Sequence, residues 1–103
     1  MTDRFFQLLG LATKAGKTVS GEFAVEQAIK RREACLVIVT EDASENTKKH
    51  FCDMCRYRDI PMLIYGSKPN LGKSTGKHER ASAAVLDQGF ADKLISIKRE
   101  GLI

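Results

Sequence analysis

The sequence predicts an α/β fold in which a central sheet is held between layers of helix. Segments with apolar residues at helical spacing alternate with short apolar runs of strand length. One of those runs, Cys35-Leu36-Val37-Ile38-Val39, shows no polar alternation, as expected of a strand covered on both faces. The chain of 103 residues shows no linker, low-complexity tract or internal repeat. It is read as one domain, 1–103, because a single core usually takes about 100–150 residues.

The first element is an amphipathic helix, since Phe5, Leu8, Leu9 and Ala12 recur at i, i+3, i+4 and i+7. Gly16 suits its left-handed C-cap, leaving Lys17-Thr18-Val19 as a short strand. Ser20 is the expected N-cap of a second helix, from Gly21 to about Arg32. After the buried strand, Asp42 and Glu45 have capping-box spacing at the head of a helix reaching about Arg58. Ile60 to Tyr65, entered through Pro61, reads as a strand, and a short helix follows Pro69 between Asn70 and Thr75. Ala81 to Leu86 fits strand or helix on composition alone. Asp87-Gln88-Gly89 marks a break, after which Phe90, Leu94 and Ile97 restore helical spacing as far as Arg99.

Composition narrows the function classes. Hydrophobic residues make up 43% of the chain, ordinary for a globular protein, and no apolar run approaches the roughly 20 residues that span a bilayer. The apolar stretch in Met1-Thr2-Asp3-Arg4-Phe5-Phe6 is too short and too polar for a signal peptide, so a cytoplasmic protein is expected. Seventeen Lys and Arg oppose thirteen Asp and Glu, a net charge of +4 that suits a polyanionic partner. Three cysteines, Cys35, Cys52 and Cys55, are an odd number for a disulfide framework and fit reduced thiols.

Several motifs resemble chemistry without completing it. Gly66-Ser67-Lys68-Pro69-Asn70-Leu71-Gly72-Lys73-Ser74 places five residues between glycines where a phosphate-binding P-loop needs four, and Pro69 removes a backbone donor. Cys52-Asp53-Met54-Cys55 has redox or zinc spacing, but it lies near the end of its helix, where no dipole lowers a thiol pKa. A zinc site would need two further ligands from Cys35, His50 and His78, which show no second paired spacing, so core filling is the expected role of the pair. Neither histidine has a nucleophile at a catalytic spacing, and Asp42 of the Glu41-Asp42 pair is assigned to helix capping. No catalytic residue, metal, cofactor or small-molecule substrate is therefore expected.

The second helix carries the first positive signal. Val25, Ala28 and Ile29 form its apolar face, while Phe23, Gln27, Lys30 and Arg31 fall opposite. An outward Phe beside Gln, Lys and Arg can stack a base, read its edge and neutralise phosphate. The alternative is that Phe23 folds back onto a neighbouring loop. A second basic cluster, Lys73, Lys77, His78 and Arg80, lies in a glycine-punctuated loop, expected to be flexible with free amides, where Ser74 and Thr75 add hydroxyl donors. The two clusters become one site only if the fold joins them.

Gly21 heading an amphipathic helix, then Leu36-Val37-Ile38-Val39-Thr40-Glu41-Asp42-Ala43, Ile60-Pro61 and Leu71-Gly72-Lys73-Ser74-Thr75-Gly76, stand in an order and spacing that resemble the ribosomal protein L-seven-Ae/L-thirty-e superfamily. Leu8-Leu9-Gly10-Leu11-Ala12, Ala15-Gly16 and Gly89-Phe90-Ala91 are similar to its bacterial YlxQ-type branch. The resemblance covers nearly the whole chain. It implies a three-layer α/β/α sandwich around a mixed, mostly four-stranded sheet. It also implies RNA binding, often to kink-turns, through the head of the second helix and the Leu71–Arg80 loop lying side by side, with Glu41 peripheral to that surface. Where kink-turn binders carry Gly-x-Asn-Glu-x-x-Lys, this chain has Phe23, Ala24 and Gln27 after Gly21. Phe and Ala offer none of the hydrogen-bonding groups of Asn and Glu, which shifts recognition from edge reading towards stacking and phosphate contact.

The expected function is thus a non-catalytic ribonucleoprotein component bound to ribosomal or other structured RNA. Its expected RNA-binding residues are Lys17, Gly21, Phe23, Gln27, Lys30, Arg31, Gly72, Lys73, Lys77, His78 and Arg80. Two alternatives remain open at this point: a protein-interaction module that has lost RNA affinity, and an accessory domain serving an RNA-modifying enzyme on another chain.

Overall fold

The computed structural model describes residues 3–101. Met1, Thr2, Leu102 and Ile103 lie outside the described residues, and with them the start of the stretch weighed as a signal peptide. Helices and strands alternate throughout: α1 (Arg4–Lys14), β1 (Thr18–Ser20), α2 (Glu22–Lys30), β2 (Leu36–Val39), α3 (Glu45–Tyr57), β3 (Met62–Ile64), α4 (Lys68–Ser74), β4 (Ser82–Val85) and α5 (Gln88–Arg99). The four strands form one mixed sheet in the order β1-β4-β2-β3. β2 pairs parallel with β3, and β4 pairs antiparallel with both β1 and β2.

Both central strands are buried at every residue, so alternate side chains must fill two separate cores. Leu36 and Ile38 join Phe5, Leu9, Leu71 and Leu94 beneath α1, α4 and α5. Val37 and Val39 point the other way, to Val25, Ile29 and Phe51 beneath α2 and α3. The expected α/β/α sandwich with a four-stranded mixed sheet is the observed architecture. The ambiguous Ala81–Leu86 segment is a strand because it supplies β4, which fills the gap between β1 and β2.

Helix ends differ from expectation in instructive ways. Ser20 does not cap α2: it is the last residue of β1, opposite Ala83, and the N-cap position falls to Gly21. Helix α2 stops at Lys30, because Arg32 turns into the left-handed region at φ 58°. Asp42 and Glu45 do not form a capping box. The cap of α3 is Ser44, whose hydroxyl oxygen accepts from Thr47 N–H at 3.1 Å. Asp42 instead accepts from the Lys68 amide at 3.1 and 3.2 Å, holding the first N–H of α4. Gly16 takes the left-handed conformation expected after α1.

A polar contact ties the head of α1 to the end of β3. Asp3 caps α1 by accepting from Phe5 N–H at 2.7 Å, and its other carboxylate oxygen accepts from the Tyr65 hydroxyl just beyond β3. Burial, followed by the hydrogen bond and charge of Asp3, pushes Tyr65 from its ordinary value of 10.0 up to about 12. A raised folded-state pKa means stability that is complete below pH 10 and is lost as pH climbs towards about 12. Replacing Tyr65→Phe is expected to remove that part of the alkaline loss. Melting temperatures measured across this range decide it: an unchanged alkaline fall in the variant contradicts the assignment.

Candidate nucleic-acid interface

The C-terminal ends of β1 and β2 and the N-terminal end of β4 meet at one end of the sheet. Beyond β1, Gly21 N–H donates to Ser82 O at 3.0 Å; beyond β2, Thr40 N–H donates to Ala81 O at 3.0 Å. Gly21 sits at φ 94°, a conformation costly for any residue with a Cβ. A Cβ built there would lie 3.6 Å from Arg80 Nε and 3.8 Å from its Cδ. The head of α2 and the segment preceding β4 are therefore in direct contact. Arg80 N–H in turn donates to Lys68 O at 3.1 Å, which brings the head of α4 to the same place. The Arg80 guanidinium donates through Nη1 to Glu79 O at 2.8 Å, while its Nε is buried without an acceptor among the described residues.

The second basic cluster is more ordered than its glycines imply. Lys73 and Ser74 belong to α4, so the expected Leu71–Arg80 loop begins only after Ser74. Its first three amides are engaged: Thr75 donates to Leu71 O, Gly76 to Lys73 O and Lys77 to Gly72 O, the last at 2.7 Å. Thr75 is buried, its hydroxyl donating to Leu71 O at 2.9 Å, and so is no phosphate donor on this surface. Gly72 is where this turn closes. A Cβ on it would fall 2.6 Å from His78 O and 2.7 Å from Glu79 Cα, closer than non-bonded atoms approach. Lys77 and His78 are consequently held on a rigid turn with their side chains exposed.

Phe23 faces solvent, with 75% of its surface exposed. The alternative of folding back onto a loop is thereby removed. At 100° per residue, Phe23 and Lys30 stand about 20° apart and roughly 10 Å along the axis, with Gln27 between them. Lys30 and Arg31 are exposed and Gln27 is half-buried. Glu26, beside this stripe, is engaged by α3: His50 Nε2 lies 2.6 Å from its carboxylate.

Not every predicted residue converges. Lys17 lies at the opposite end of β1, where its carbonyl accepts from Leu86 N–H at 2.8 Å. Four strand steps, about 13 Å, separate it from Gly21. Glu41 borders the gathered loops, its carboxylate accepting from Gly66 N–H at 3.1 Å. The neighbouring Thr40 hydroxyl, and after it the Lys68 amide, hold the Asp42 carboxyl below the ordinary carboxylate range.

The remaining motifs lie elsewhere. Cys55 is buried in the core under α3, and burial pushes its thiol up to about 11. Burial, then Asp87 and Asp92, raise that of Cys35. Thiols shifted this way are not poised as nucleophiles. Among the described residues no three His, Cys, Asp or Glu side chains are grouped to hold a metal, and no helix is long and apolar enough to cross a membrane.

This arrangement of helix head, basic turn and strand end can be set beside known proteins. A family profile described as the ribosomal protein L7Ae/L30e/S12e/Gadd45 family matches residues 3–95. The chain belongs to that family. It is 50% identical over 93 residues to the RNA-binding protein YlxQ of Bacillus subtilis (strain 168), covering 90% of this chain and 93% of the relative. An RNA-binding protein YlxQ of Enterococcus faecium is 38% identical over 86 residues, 84% of this chain and 82% of that protein. These relatives place the chain in the YlxQ-like branch, whose members carry the name of a binding protein and not of an enzyme. A solved protein of unknown function from Bacillus halodurans superposes with a TM-score of 0.89 at 38% identity, over 93% of this chain and 97% of the other. A 15.5 kD RNA binding protein from Giardia lamblia has the same fold, with a TM-score of 0.77 at 19% identity, over 100% of this chain and 93% of the other.

One feature of the site leaves no local signal in the sequence: the tether from Asp42 to α4 is hidden because Asp42 and Glu45 imitate a capping box.

Proposed function

We propose that this chain is a non-catalytic RNA-binding protein whose RNA lies across the head of α2 and the turn from Gly76 to Arg80. The observation that carries this reading is the contact between Gly21 and Arg80, which joins the exposed Phe23 stripe to the second basic cluster. In this arrangement Phe23 stacks on an unpaired base and Gln27 meets a base edge. Lys30, Arg31, Lys73, Lys77, His78 and Arg80 contact phosphate. Gly21 and Gly72 act through shape, the first by admitting Arg80 and the second by fixing the turn. Glu41 borders the surface and keeps backbone phosphate to its cationic side. The RNA-binding names of the YlxQ relatives support the same reading, as does the excess of cations over anions.

The RNA is taken to be ribosomal or another folded RNA met in the cytoplasm, since a rigid surface of this kind suits a preformed loop or bulge. Affinity resting on phosphate contacts falls with salt at a slope of about 0.7–0.9 per phosphate neutralised. Crosslinking in cells followed by sequencing of the bound RNA tests the reading, comparing wild type with a Phe23→Ala, Lys30→Ala, Lys77→Ala variant. The expected result is enrichment of defined RNA sites by wild type and their loss in a folded variant. If neither protein enriches RNA above background, the reading fails and the surface belongs to a protein partner.

A further inference from the structure

Four exposed lysines outside α3 have a common placement that the proposed RNA surface does not use up. Lys14 ends α1, Lys17 opens onto β1, Lys73 stands in the last turn of α4 and Lys77 follows that helix. None has a carboxylate within salt-bridge distance among the described residues. By contrast, Lys48 and Lys49 on α3 are paired with Glu45 and Asp53 at 3.3 and 3.1 Å. Lys14, Lys17, Lys73 and Lys77 thus place unpaired positive charge on the flank where α1 and α4 meet the β1 edge.

That flank also has the right shape. A groove of about 470 Å³ runs between α1 and α4, with Lys14 and Thr13 on one wall and Asn70, Lys73 and Ser74 on the other. Its one acid, Asp3, is occupied by the Phe5 amide and the Tyr65 hydroxyl. Lys73 and Gly76 line the groove and Lys77 follows them in the chain, so the groove adjoins the basic turn and offers a path from it over Lys73 to Lys14. Lys17 stands beside the end of that path, because its amide donates to Ala12 O at 2.9 Å, within the last turn of α1.

We infer that this groove is a second binding strip, which takes the single-stranded continuation of an RNA already held at the α2 head. The inference rests on the function proposed above and extends its footprint. A single strand fits better than a duplex because the groove lies between two closely packed helices and offers point charges with hydroxyl and amide groups. Backbone phosphates would meet Lys73, Lys14 and then Lys17 in succession, with Asn70 and Ser74 available to phosphate or sugar oxygens. Such a strip reads charge and reach, not sequence. It also gives Lys17 a role that its distance from the α2 head otherwise denies it.

The test uses a fluorescein-labelled RNA stem-loop with an internal bulge, with and without a single-stranded oligouridine tail of about ten nucleotides. Binding to the full chain is followed by fluorescence anisotropy across a salt series. The tailed RNA is expected to bind wild type about tenfold more tightly than the untailed one. A Lys14→Gln, Lys17→Gln variant should lose that advantage and leave binding of the untailed RNA unchanged. Its salt slope on the tailed RNA should fall by about 1.4, the value for two single-strand phosphate contacts. A Phe23→Ala variant, in contrast, should weaken both RNAs. If the lysine variant keeps the tail advantage and the slope, the groove is not a binding strip although the primary site stands. If wild type binds neither RNA, the primary site fails and this inference fails with it.

Discussion

Replacing Gly72→Ala is expected to damage both the fold and the RNA surface with the addition of a single methyl group. The added Cβ would be 2.6 Å from His78 O and 2.7 Å from Glu79 Cα, so it meets backbone and not the movable end of a side chain. Gly72 is buried in α4 next to Leu71, a member of the core under α1 and α5, so the helix cannot back away without opening that core. The relief must come from the turn, which would have to give up the 2.7 Å bond from Lys77 N–H to Gly72 O. Overpacking of this kind costs about 1–3 kcal/mol, and its meeting backbone places it near the upper end. At roughly 4–8 °C per kcal/mol for a domain of this size, a melting temperature lower by about 10 °C or more is expected. RNA affinity should fall further than that of a control variant with the same stability loss, since Lys77, His78 and Arg80 are displaced together. An unshifted melting temperature, or normal RNA binding by the variant, contradicts the role given to this glycine.

Phe23→Ala should do the reverse, removing affinity with little effect on stability. A side chain 75% exposed contributes little to the core, and surface substitutions usually stay within about 0.5 kcal/mol. Stacking of a base on an aromatic ring contributes about 1–3 kcal/mol, so affinity for the cellular RNA should fall roughly 5- to 150-fold. The salt slope should hardly change, because no phosphate contact is lost, whereas Lys77→Ala should reduce it by about 0.7–0.9. Chemical denaturation and binding measured on the same preparation separate the two effects. A large stability loss without loss of binding would make Phe23 a structural residue and remove the stacking role.

Much of the fold is legible in the sequence because burial leaves a periodic trace. The unbroken apolar run at Leu36–Val39 demands helices on both faces, and the two cores under those helices are what that run packs against. The outward position of Phe23 follows from the apolar face of Val25, Ala28 and Ile29 by helical geometry alone. What cannot be read there is set by contacts distant in sequence. Asp42 serves a helix head 26 residues away, and nothing local distinguishes that from capping its own helix. The glycines around Lys73 read as flexibility, yet Gly72 is there because His78 and Glu79 pass against it. Lys17 looks like part of the site because three-residue strands are short in sequence, although extended chain carries it about 13 Å from Gly21. Resemblance to the L7Ae family supplies the one juxtaposition that periodicity cannot, that of the α2 head with the turn before β4.

The central claim is that RNA lies across those two segments, and nucleotide adducts mapped by mass spectrometry test it whatever the sequence of the RNA. Cells expressing the full chain are irradiated with ultraviolet light, and the protein is purified under denaturing conditions and digested. Adducts are expected on the peptide containing Phe23 and on the peptide spanning Lys77 to Arg80, and neither should form without irradiation. Adducts confined to α3 or α5, or none above the unirradiated control, would contradict the claim.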